Sequence, residues 1–448
     1  MKTLKRYIPE KVYEKLQLLE YSNKEHLYVI CDMIYRISIY RKDESEYEYT
    51  DIPRVYLSNI IKDSNSLSSA INFLLDNDII ETDNIYSKES KKSKGYRFKK
   101  EYISKLTSLE IETLTIKRNI INNKNDRNNV VSSRYKKYKK HFMDTFKIDY
   151  NNALNLLDNE YNKSMEYLNN PNNYNSTIST LFLCERNVSL TQSWQDLTSD
   201  SFLENWTKIT NKYNKLFMSI SAINDGNLFF RKNKTNGRID NNLTNLKKDF
   251  KQFIVKPNLN QIDIKNSQPY ILSLLNNSFL CERNVSSTQA GQDLTSDSFL
   301  KELDKYSTWT SSGMFYENFS KEYFMKTTKV LTRKEIKNLM FCIFYSKNNS
   351  YIKEKNIFKS IFPNIMKYIN EQKKKNHNQF AIKMQKLESE ICIDIICPKL
   401  DERGINYYTI HDAWLVDKKD LEETKNIILE SFKEKYNSVP TLDFEKIN

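Results

Sequence analysis

Glycine and proline are scarce in this chain, with 6 Gly and 8 Pro among 448 residues. Together with abundant Asn, Lys, Ile and Tyr, this scarcity is typical of AT-rich coding DNA. No run of 18 apolar residues occurs and no apolar segment follows Met1-Lys2-Thr3, so we expect neither a membrane span nor a signal peptide. The six Cys lack the paired spacing of a zinc site, which favours reduced thiols in the cytoplasm over disulfides.

The charge balance is basic. Lys and Arg number 70 against 57 Asp and Glu, which gives a formal net charge of +13 at pH 7. An excess of this size suits a polyanionic partner, although many basic soluble proteins bind no nucleic acid. The length is sufficient for two or three domains with their own hydrophobic cores.

One stretch predicts a helix with a distinctive face. Arg333, Lys337, Phe341 and Tyr345 recur at every fourth position, so on an α-helix they project from roughly one side. That side carries two cations followed by two aromatic rings. The order suits a helix that binds a triphosphate at one end and stacks on a sugar or base at the other. A solvated cation pair beside core aromatics is the alternative.

Two further stretches predict strands that carry carboxylates. Asp263 lies at the end of a short apolar strand. Asp412 lies in the tight turn of a strand–turn–strand predicted over residues 407–416. A Gly-Arg pair, Gly237-Arg238, precedes the first of these strands, and a basic, aromatic run over residues 250–254 leads into it.

Taken in chain order, these features resemble the motifs of family A DNA polymerases and of the related single-subunit phage RNA polymerases. The shared order is the Gly-Arg pair, Asp263, the Arg/Lys/Phe/Tyr helix and the His411-Asp412 pair. The resemblance covers about residues 225–448, half of the chain. It implies an α+β fold of the right-hand polymerase type, with an antiparallel palm sheet and helical fingers and thumb.

The resemblance assigns Asp263 and Asp412 as metal-binding carboxylates. Nucleotide addition is an in-line phosphoryl transfer, in which the protein supplies positioning and charge neutralisation. Two Mg²⁺ ions about 4 Å apart activate the primer 3′-oxygen and stabilise the leaving pyrophosphate, and Mn²⁺ can take their place. The alternative role for Asp412 is that of an ordinary turn residue.

The same resemblance implies roles for other side chains. Arg333 and Lys337 would hold the triphosphate, and Lys337 could also protonate the leaving pyrophosphate. Phe341 and Tyr345 would pack against the incoming sugar and base. The residues implied to contact the primer–template are Arg238, Gln385 and His411. For His411, burial with a backbone partner is an equal alternative.

The chain also departs from the family pattern. Ser346 replaces the Gly that usually follows the helix Tyr, so the turn there must be built differently. Ala413 replaces an auxiliary Glu after the His-Asp pair. Gln268 stands where the DNA-making members carry a Glu that excludes the ribose 2′-hydroxyl. Because Gln fills the same volume and can hydrogen-bond the Tyr345 hydroxyl, we expect these two residues to form a sugar gate that favours deoxynucleotides.

The N-terminal residues 1–105 do not resemble a polymerase. An amphipathic pattern at 67–75 predicts a helix opened by Ser64 or Ser66, after a helical stretch at 53–62. Two short strands, at 79–83 and 96–98, enclose a loop with Lys92 and Lys94. This outline predicts a winged helix-turn-helix whose two lysines bind DNA phosphates. Small domains of this outline also bind protein, in this case replication proteins.

Residues 106–225 are predicted to be a helical, polar region where family A polymerases carry the thumb. The Asn-rich stretch 122–129 reads as a linker. The segment 135–141 mixes cations with aromatics, which predicts a surface that follows a nucleic-acid backbone; a solvated helix face is the alternative. No acidic motif indicates a proofreading exonuclease.

A 22-residue segment occurs twice, at 182–203 and 279–300, with three differences between the copies. A solenoid needs at least three tandem repeats, and two packing environments would rarely require the same side chains. We therefore interpret both as copies of one inserted DNA repeat, tolerated as surface excursions. The second copy lies within the polymerase-like segment 226–448.

The sequence thus predicts a DNA polymerase without proofreading that acts on a DNA primer–template and deoxynucleoside triphosphates. Its expected setting is the cytoplasm of a bacterial or phage-infected cell, replicating a phage or plasmid. One alternative is a single-subunit RNA polymerase or primase-like enzyme. Another is a DNA-binding replication initiator with a degenerate polymerase half, which the retention of Asp263, Asp412, Arg333 and Lys337 disfavours.

Overall fold

The structure is a computed structural model that describes residues 4–40, 49–87, 89, 92–128, 133–169, 199–275 and 297–448. It is a helix-rich α+β protein with small antiparallel sheets, which confirms the predicted class. The chain forms two compact units. Unit 1 comprises residues 1–130, 146–229 and 245–255, and unit 2 comprises residues 131–145, 230–244 and 256–448.

The elements are numbered in chain order. The strands are β1 Lys5–Pro9, β2 Thr50–Asp51, β3 Ile80–Thr82, β4 Gly95–Phe98, β5 Leu106–Glu110, β6 Phe230–Lys232, β7 Ile239–Asn241, β8 Leu259–Ile264, β9 Tyr407–Ile410, β10 Ala413–Asp417 and β11 Leu442–Lys446. The first helices are α1 Glu10–Gln17, α2 Lys24–Ile39, α3 Arg54–Ser58, α4 Ser64–Asp76, α5 Leu114–Asn128, α6 Lys136–Thr145, α7 Tyr150–Asn169 and α8 Ser199–Asn224. The later helices are α9 (residues 267–275), α10 Asp297–Ser311, α11 Phe315–Thr327, α12 Arg333–Tyr345, α13 Ile352–Ile361, α14 Pro363–Gln372, α15 His377–Ser389, α16 Cys397–Glu402 and α17 Leu421–Tyr436.

In unit 1, the N-terminal segment runs α2, β2, α3, α4, β3, β4, and its three strands form an antiparallel sheet in the order β2-β4-β3. The predicted amphipathic helix is α4, which buries Leu67, Ala70, Ile71 and Leu74. Its N-cap is Asp63, whose carboxylate accepts from the Ser66 N–H at 2.6 Å, so the predicted serine caps are wrong. A carboxylate at the N-cap satisfies one of the free N–H groups and complements the helix dipole.

The described parts of residues 106–225, which were predicted to be helical, consist largely of helices. Helices α7 and α8 pack against each other within unit 1. The Asn-rich stretch is not a linker up to residue 128, because α5 continues through it to Asn128. Asn has only a modest penalty in a helix, so composition alone did not decide between the two states.

In unit 2, a four-stranded antiparallel sheet has the order β11-β8-β10-β9. Its central strands carry apolar residues on both faces: Leu259, Ile262 and Ile264 in β8, and Trp414, Leu415 and Val416 in β10, are all buried. Strands that are apolar at successive positions, as β10 is, fit a sheet covered on both sides. The predicted strand–turn–strand at 407–416 is confirmed as β9 and β10.

Helix α6 packs on strand β9. The Tyr138 ring stacks on Tyr407 with a centroid distance of 4.7 Å, and the Tyr138 hydroxyl accepts from the Thr409 N–H at 2.9 Å. His141 stacks on Tyr408 at 5.4 Å. The two aromatics of segment 135–141, Tyr135 and Tyr138, are therefore buried, so they do not contribute to the predicted nucleic-acid surface, whereas Lys136, Lys137 and Lys140 are exposed.

No helix in the described ranges is long and apolar enough to cross a membrane.

Most of both 22-residue copies, 182–198 and 279–296, lies outside the described residues. The described ends of the copies are helical: residues 199–203 begin α8, and residues 297–300 begin α10. In α10 the Phe299 side chain is buried at 6% exposure, whereas Leu300 is 51% exposed. Phe299 of the second copy is therefore part of the core, and the interpretation of the copy as a surface excursion is wrong for this residue.

These two neighbours provide a matched test. Phe299→Ala should lower the free energy of unfolding by about 3–5 kcal/mol, because it leaves a cavity in a packed site. Leu300→Ala should change it by about 0.5 kcal/mol or less. Urea denaturation of both variants measures the difference, and equal, small losses would contradict the burial of Phe299.

Candidate active site

The pairing of β8 with β10 determines where the two predicted metal ligands lie. Asp263 is opposite Ala413 in this antiparallel pair, and Asp412 immediately precedes Ala413 in the turn. The Ile264 N–H donates to the Asp412 carbonyl at 3.4 Å. Both aspartates are half-buried. The structure thus places the backbones of two aspartates that are far apart in sequence next to each other, at one end of a strand pair.

The turn itself has an uncommon backbone conformation. Ile410 pairs with Ala413, so only His411 and Asp412 lie between the strands, and His411 has a φ of 55°. Non-glycine residues seldom adopt this left-handed region, although His, Asn and Asp do so more often than others. The His411 Nδ1 is buried and has no hydrogen-bond partner among the described residues. Burial and the charge of Arg238 lower the pKa of His411, so its ring is neutral at pH 7.

Helix α12 presents the four predicted residues on one face. Thr332 and Glu335 form a capping box at its N-terminus. Arg333, Lys337 and Phe341 are exposed and Tyr345 is half-buried. The opposite face is buried through Ile336, Met340, Ile343 and Phe344. The predicted helix and its two faces are therefore confirmed.

The two ends of this face differ in chemistry. At the cationic end, the Arg333 Nε donates to Glu317 at 2.8 Å and the guanidinium lies 5.3 Å from the Tyr316 ring centroid. A shallow cavity of about 380 Å³ opens beside Arg333. At the aromatic end, the rings of Phe341 and Tyr345 stack with a centroid distance of 6.0 Å.

A chain of hydrogen bonds starts at Tyr345. Its hydroxyl donates to the Gln268 Oε1, as expected for the predicted gate. The Gln268 Nε2 donates to the Glu388 Oε2. The Arg238 Nε and Nη2 both lie against the Glu388 Oε1, at 2.8 Å and 2.6 Å. The chain therefore links α12, α9, α15 and the residue that precedes β7.

Glu388 was not predicted from the sequence. Its side chain is only 1% exposed, and burial, with a further contribution from the charge of Asp412, raises its pKa to about 8 against the opposing effect of Arg238. Phe380, Met384 and Glu388 recur at every fourth position on the buried face of α15. A glutamate in line with two core residues is the signal that could have identified it.

Two residues predicted to bind nucleic acid are held by other side chains in unit 2. Arg238 is engaged by Glu388 and its side chain is 17% exposed. The Gln385 Oε1 accepts from the Asn236 Nδ2 at 3.1 Å. The Ser389 hydroxyl donates to the Gly237 carbonyl. The Gly-Arg segment is thus docked on α15.

The turn after α12 is built without glycine. Ser346 has an extended backbone (φ −73°, ψ 162°), and its hydroxyl donates to the Cys342 carbonyl at 2.6 Å. Two buried lysines complete the helix end: Lys355 donates to the Ser346 Oγ at 2.8 Å, and Lys373 donates to the Ile343 and Ser346 carbonyls at 3.0 and 3.1 Å. Lys373 thus supplies a donor to the Ile343 carbonyl, in the last turn of α12, where carbonyls lack partners within the helix.

In unit 1, the two lysines of the predicted wing interact with their own hairpin. Lys92 lies 3.2 Å from the Asp83 carboxylate, and the Lys94 Nζ donates to the Asn84 Oδ1 at 2.7 Å. The Lys92 side chain is 37% exposed and Lys94 is exposed, so each lysine keeps access to solvent.

No family model matches this chain, and no curated protein does. Among solved structures, the chain is similar to the POL domain of Pol1 from M. smegmatis, which was solved in complex with DNA primer-template and dNTP, at 13% sequence identity and a TM-score of 0.36. The alignment covers 67% of this chain and 66% of that one, so the chain spans slightly less than two thirds of that domain. The likeness is distant, and no family is assigned from it.

The buried Lys373 at the end of α12 predicts that the stability of the protein depends on pH. Burial and the charge of Lys355 lower the pKa of Lys373 to about 7, whereas an unfolded Lys titrates near 10.4. Between these values the unfolded chain binds the proton and the folded chain does not. The Lys373 contribution to the free energy of unfolding should therefore rise with pH in this window, by up to ~1.4 kcal/mol per pH unit.

Lys373→Met should remove this contribution. Urea unfolding at several pH values from 7 to 10 should show a wild-type free energy that rises relative to that of the variant. Lys374→Met, at the adjacent exposed position, should follow the wild type. If the free energy of unfolding changes with pH equally in the wild type and in Lys373→Met, the lowered pKa of Lys373 would be contradicted.

Proposed function

We propose that this chain is a template-directed DNA polymerase that extends a primer with deoxynucleotides by two-metal phosphoryl transfer, without proofreading. The observation that carries the proposal is the pairing of β8 with β10, which joins Asp263 and Asp412 at one strand end. The order of motifs along the chain, and the cation–aromatic face of α12, support the same assignment. In this proposal unit 2 provides the palm and fingers of a right-hand polymerase.

The donor set fits Mg²⁺. Proteins commonly hold Mg²⁺ through one or two carboxylates, with water and substrate phosphates completing its shell, and Asp263 and Asp412 offer two. Within the described residues no group of three or more His, Cys, Asp or Glu side chains could hold a metal ion; in this proposal water and substrate phosphates complete the ligand shell. The metal ions, Mg²⁺ or Mn²⁺, would supply charge neutralisation at the attacking and leaving oxygens.

The protein residues would then bind and orient the nucleotide. Arg333 and Lys337 bind the triphosphate, for which Arg333 exchanges its contact with Glu317, and Lys337 gives a proton to the leaving pyrophosphate. Phe341 and Tyr345 pack against the sugar and base. His411, with an unpaired Nδ1, is suited to contact the primer terminus.

For unit 1 we propose a DNA-binding role. The element order α2, β2, α3, α4, β3, β4 with the sheet order β2-β4-β3 supports a winged helix-turn-helix, in which α4 would lie in a groove and Lys92 and Lys94 on phosphates. The same surface could bind a replication protein. The helices of residues 106–225 would act as the thumb. We place the enzyme in the cytoplasm of a bacterial or phage-infected cell, copying a phage or plasmid.

Gln268 and Ala413 favour a second candidate, a single-subunit RNA polymerase or primase-like enzyme, because neither is the Glu found in the DNA-making members.

Primer extension distinguishes the DNA polymerase from this second candidate. Purified protein with Mg²⁺ is given DNA or RNA templates, with dNTPs and NTPs supplied separately. Incorporation of dNTPs supports the proposal, NTP incorporation favours the second candidate, and no incorporation would leave a DNA-binding initiator with a degenerate polymerase half.

The metal assignment predicts the effect of removing either carboxylate. Asp263→Ala and Asp412→Ala should each lower the incorporation rate by at least ~10⁴, roughly 5.5 kcal/mol of transition-state stabilisation, with DNA binding largely intact. Asp417→Ala, at the other end of β10, is the matched control and should stay within about tenfold of the wild type. Activity near the wild-type level in either site variant would mean that the site is elsewhere.

The gate predicts sugar selectivity. If Gln268 occludes the 2′ position, the wild type should prefer dNTPs, and Gln268→Ala should raise ribonucleotide use selectively by on the order of 10²-fold. Tyr345→Phe should act in the same direction but less, because it removes the hydrogen bond and keeps the ring. Single-nucleotide incorporation kinetics measure both. An equal loss of dNTP and NTP use in Gln268→Ala would make Gln268 a structural residue.

A further inference from the structure

We infer that Glu388 is a positioning residue for sugar selection, which fixes the Gln268 amide in the orientation that receives the Tyr345 hydroxyl. The inference rests on the proposed polymerase function and extends it to a residue outside the motifs that suggested it. Glu388 would act through Gln268 and would not itself touch the nucleotide.

The side-chain amide of Gln268 is asymmetric. One end of a Gln side chain donates and the other accepts, whereas an ionised carboxylate only accepts. Above its pKa of about 8 the Glu388 carboxylate is ionised, so the Gln268 Nε2 must face it and the Oε1 is left for the Tyr345 hydroxyl, which is the arrangement observed. Burial and the charge of Glu388 raise the pKa of Tyr345, so the phenol keeps the proton that it donates.

Arg238 holds Glu388 itself in place. Both contacts of Arg238 are to the Oε1, at 2.8 and 2.6 Å, which leaves the Oε2 for Gln268. The carboxylate is 1% exposed, so water does not compete for it. A buried ion pair is costly to desolvate and seldom stabilises a fold over an apolar alternative. The hydrogen bond from Gln268 to this ion pair is instead suited to selecting one orientation of the Gln268 amide.

Glu388→Gln tests the inference with an almost isosteric change, in assays at a pH above the Glu388 pKa of about 8, where the wild-type carboxylate is ionised. A second amide can either donate or accept, so Gln268 is no longer restricted to one orientation. The ratio of kcat/KM for a dNTP to that for the matching NTP should fall about tenfold. Because both substrates are measured on the same preparation, the ratio does not depend on the fraction of active enzyme. In a Gln268→Ala background, Glu388→Gln should change the ratio no further, since coupled residues are not additive.

A charge swap gives a second, independent test. Gln268→Glu alone places two carboxylates against each other, which should lower dNTP incorporation. In the double variant Gln268→Glu/Glu388→Gln, every partner can be satisfied again. The amide now at position 388 accepts from Arg238 and donates to the carboxylate now at position 268, which also accepts from the Tyr345 hydroxyl. The double variant should therefore recover incorporation and the dNTP preference relative to Gln268→Glu.

Ser389→Ala is the matched control. Ser389 is the next residue, is buried, and binds the Gly237 carbonyl rather than Gln268, so its loss tests the docking of the Gly-Arg segment without touching the amide. Its dNTP-to-NTP ratio should equal that of the wild type. A similar fall in Ser389→Ala and Glu388→Gln, an unchanged ratio in Glu388→Gln, or a swap that recovers nothing would each overturn the inference while leaving polymerase activity established. A wild type that incorporates no nucleotide would instead overturn the proposed function, and the inference with it.

Discussion

The antiparallel pairing of β8 with β10 is the interaction on which the candidate site depends. Strand β8 is hydrogen-bonded on both sides, to β10 and to β11, and its apolar residues are buried in the core of unit 2. The register that sets Asp263 opposite Ala413 also sets Asp412 at the adjacent turn. A slip of one residue would move Asp263 to the other face of the sheet, so the buried apolar side chains of both strands determine the position of both carboxylates.

A second constraint is the buried polar chain from Arg238 to Tyr345. It joins four segments of unit 2 through charged and neutral hydrogen bonds, and each member has a partner. Networks of this kind are costly when one partner is missing and specific when all are present. The sheet thus positions the carboxylates through apolar packing, whereas the segment around Gln268 is positioned through polar contacts.

The end of α12 shows how one departure from the family pattern is accommodated. With Ser346 in place of glycine, the backbone stays extended and avoids the left-handed region. Lys355 then binds the Ser346 hydroxyl, and Lys373 binds the Ile343 and Ser346 carbonyls. Neither lysine contacts a carboxylate among the described residues, and burial lowers the pKa of both, so oxygen acceptors at the helix C-terminus are their hydrogen-bond partners.

The sequence by itself determined the features that are encoded locally: the two faces of α12, the amphipathic α4, and the hairpin of β9 and β10. Each is readable because four-residue or two-residue spacing reports directly on which side chains share a face. Only the tertiary structure decided that Tyr138 lies in the core on β9, that Phe299 of the second copy is buried, that Lys373 caps α12, and that Glu388 stands behind Gln268. These contacts join residues distant along the chain, and their geometry follows from strand register and helix packing, which no local spacing contains.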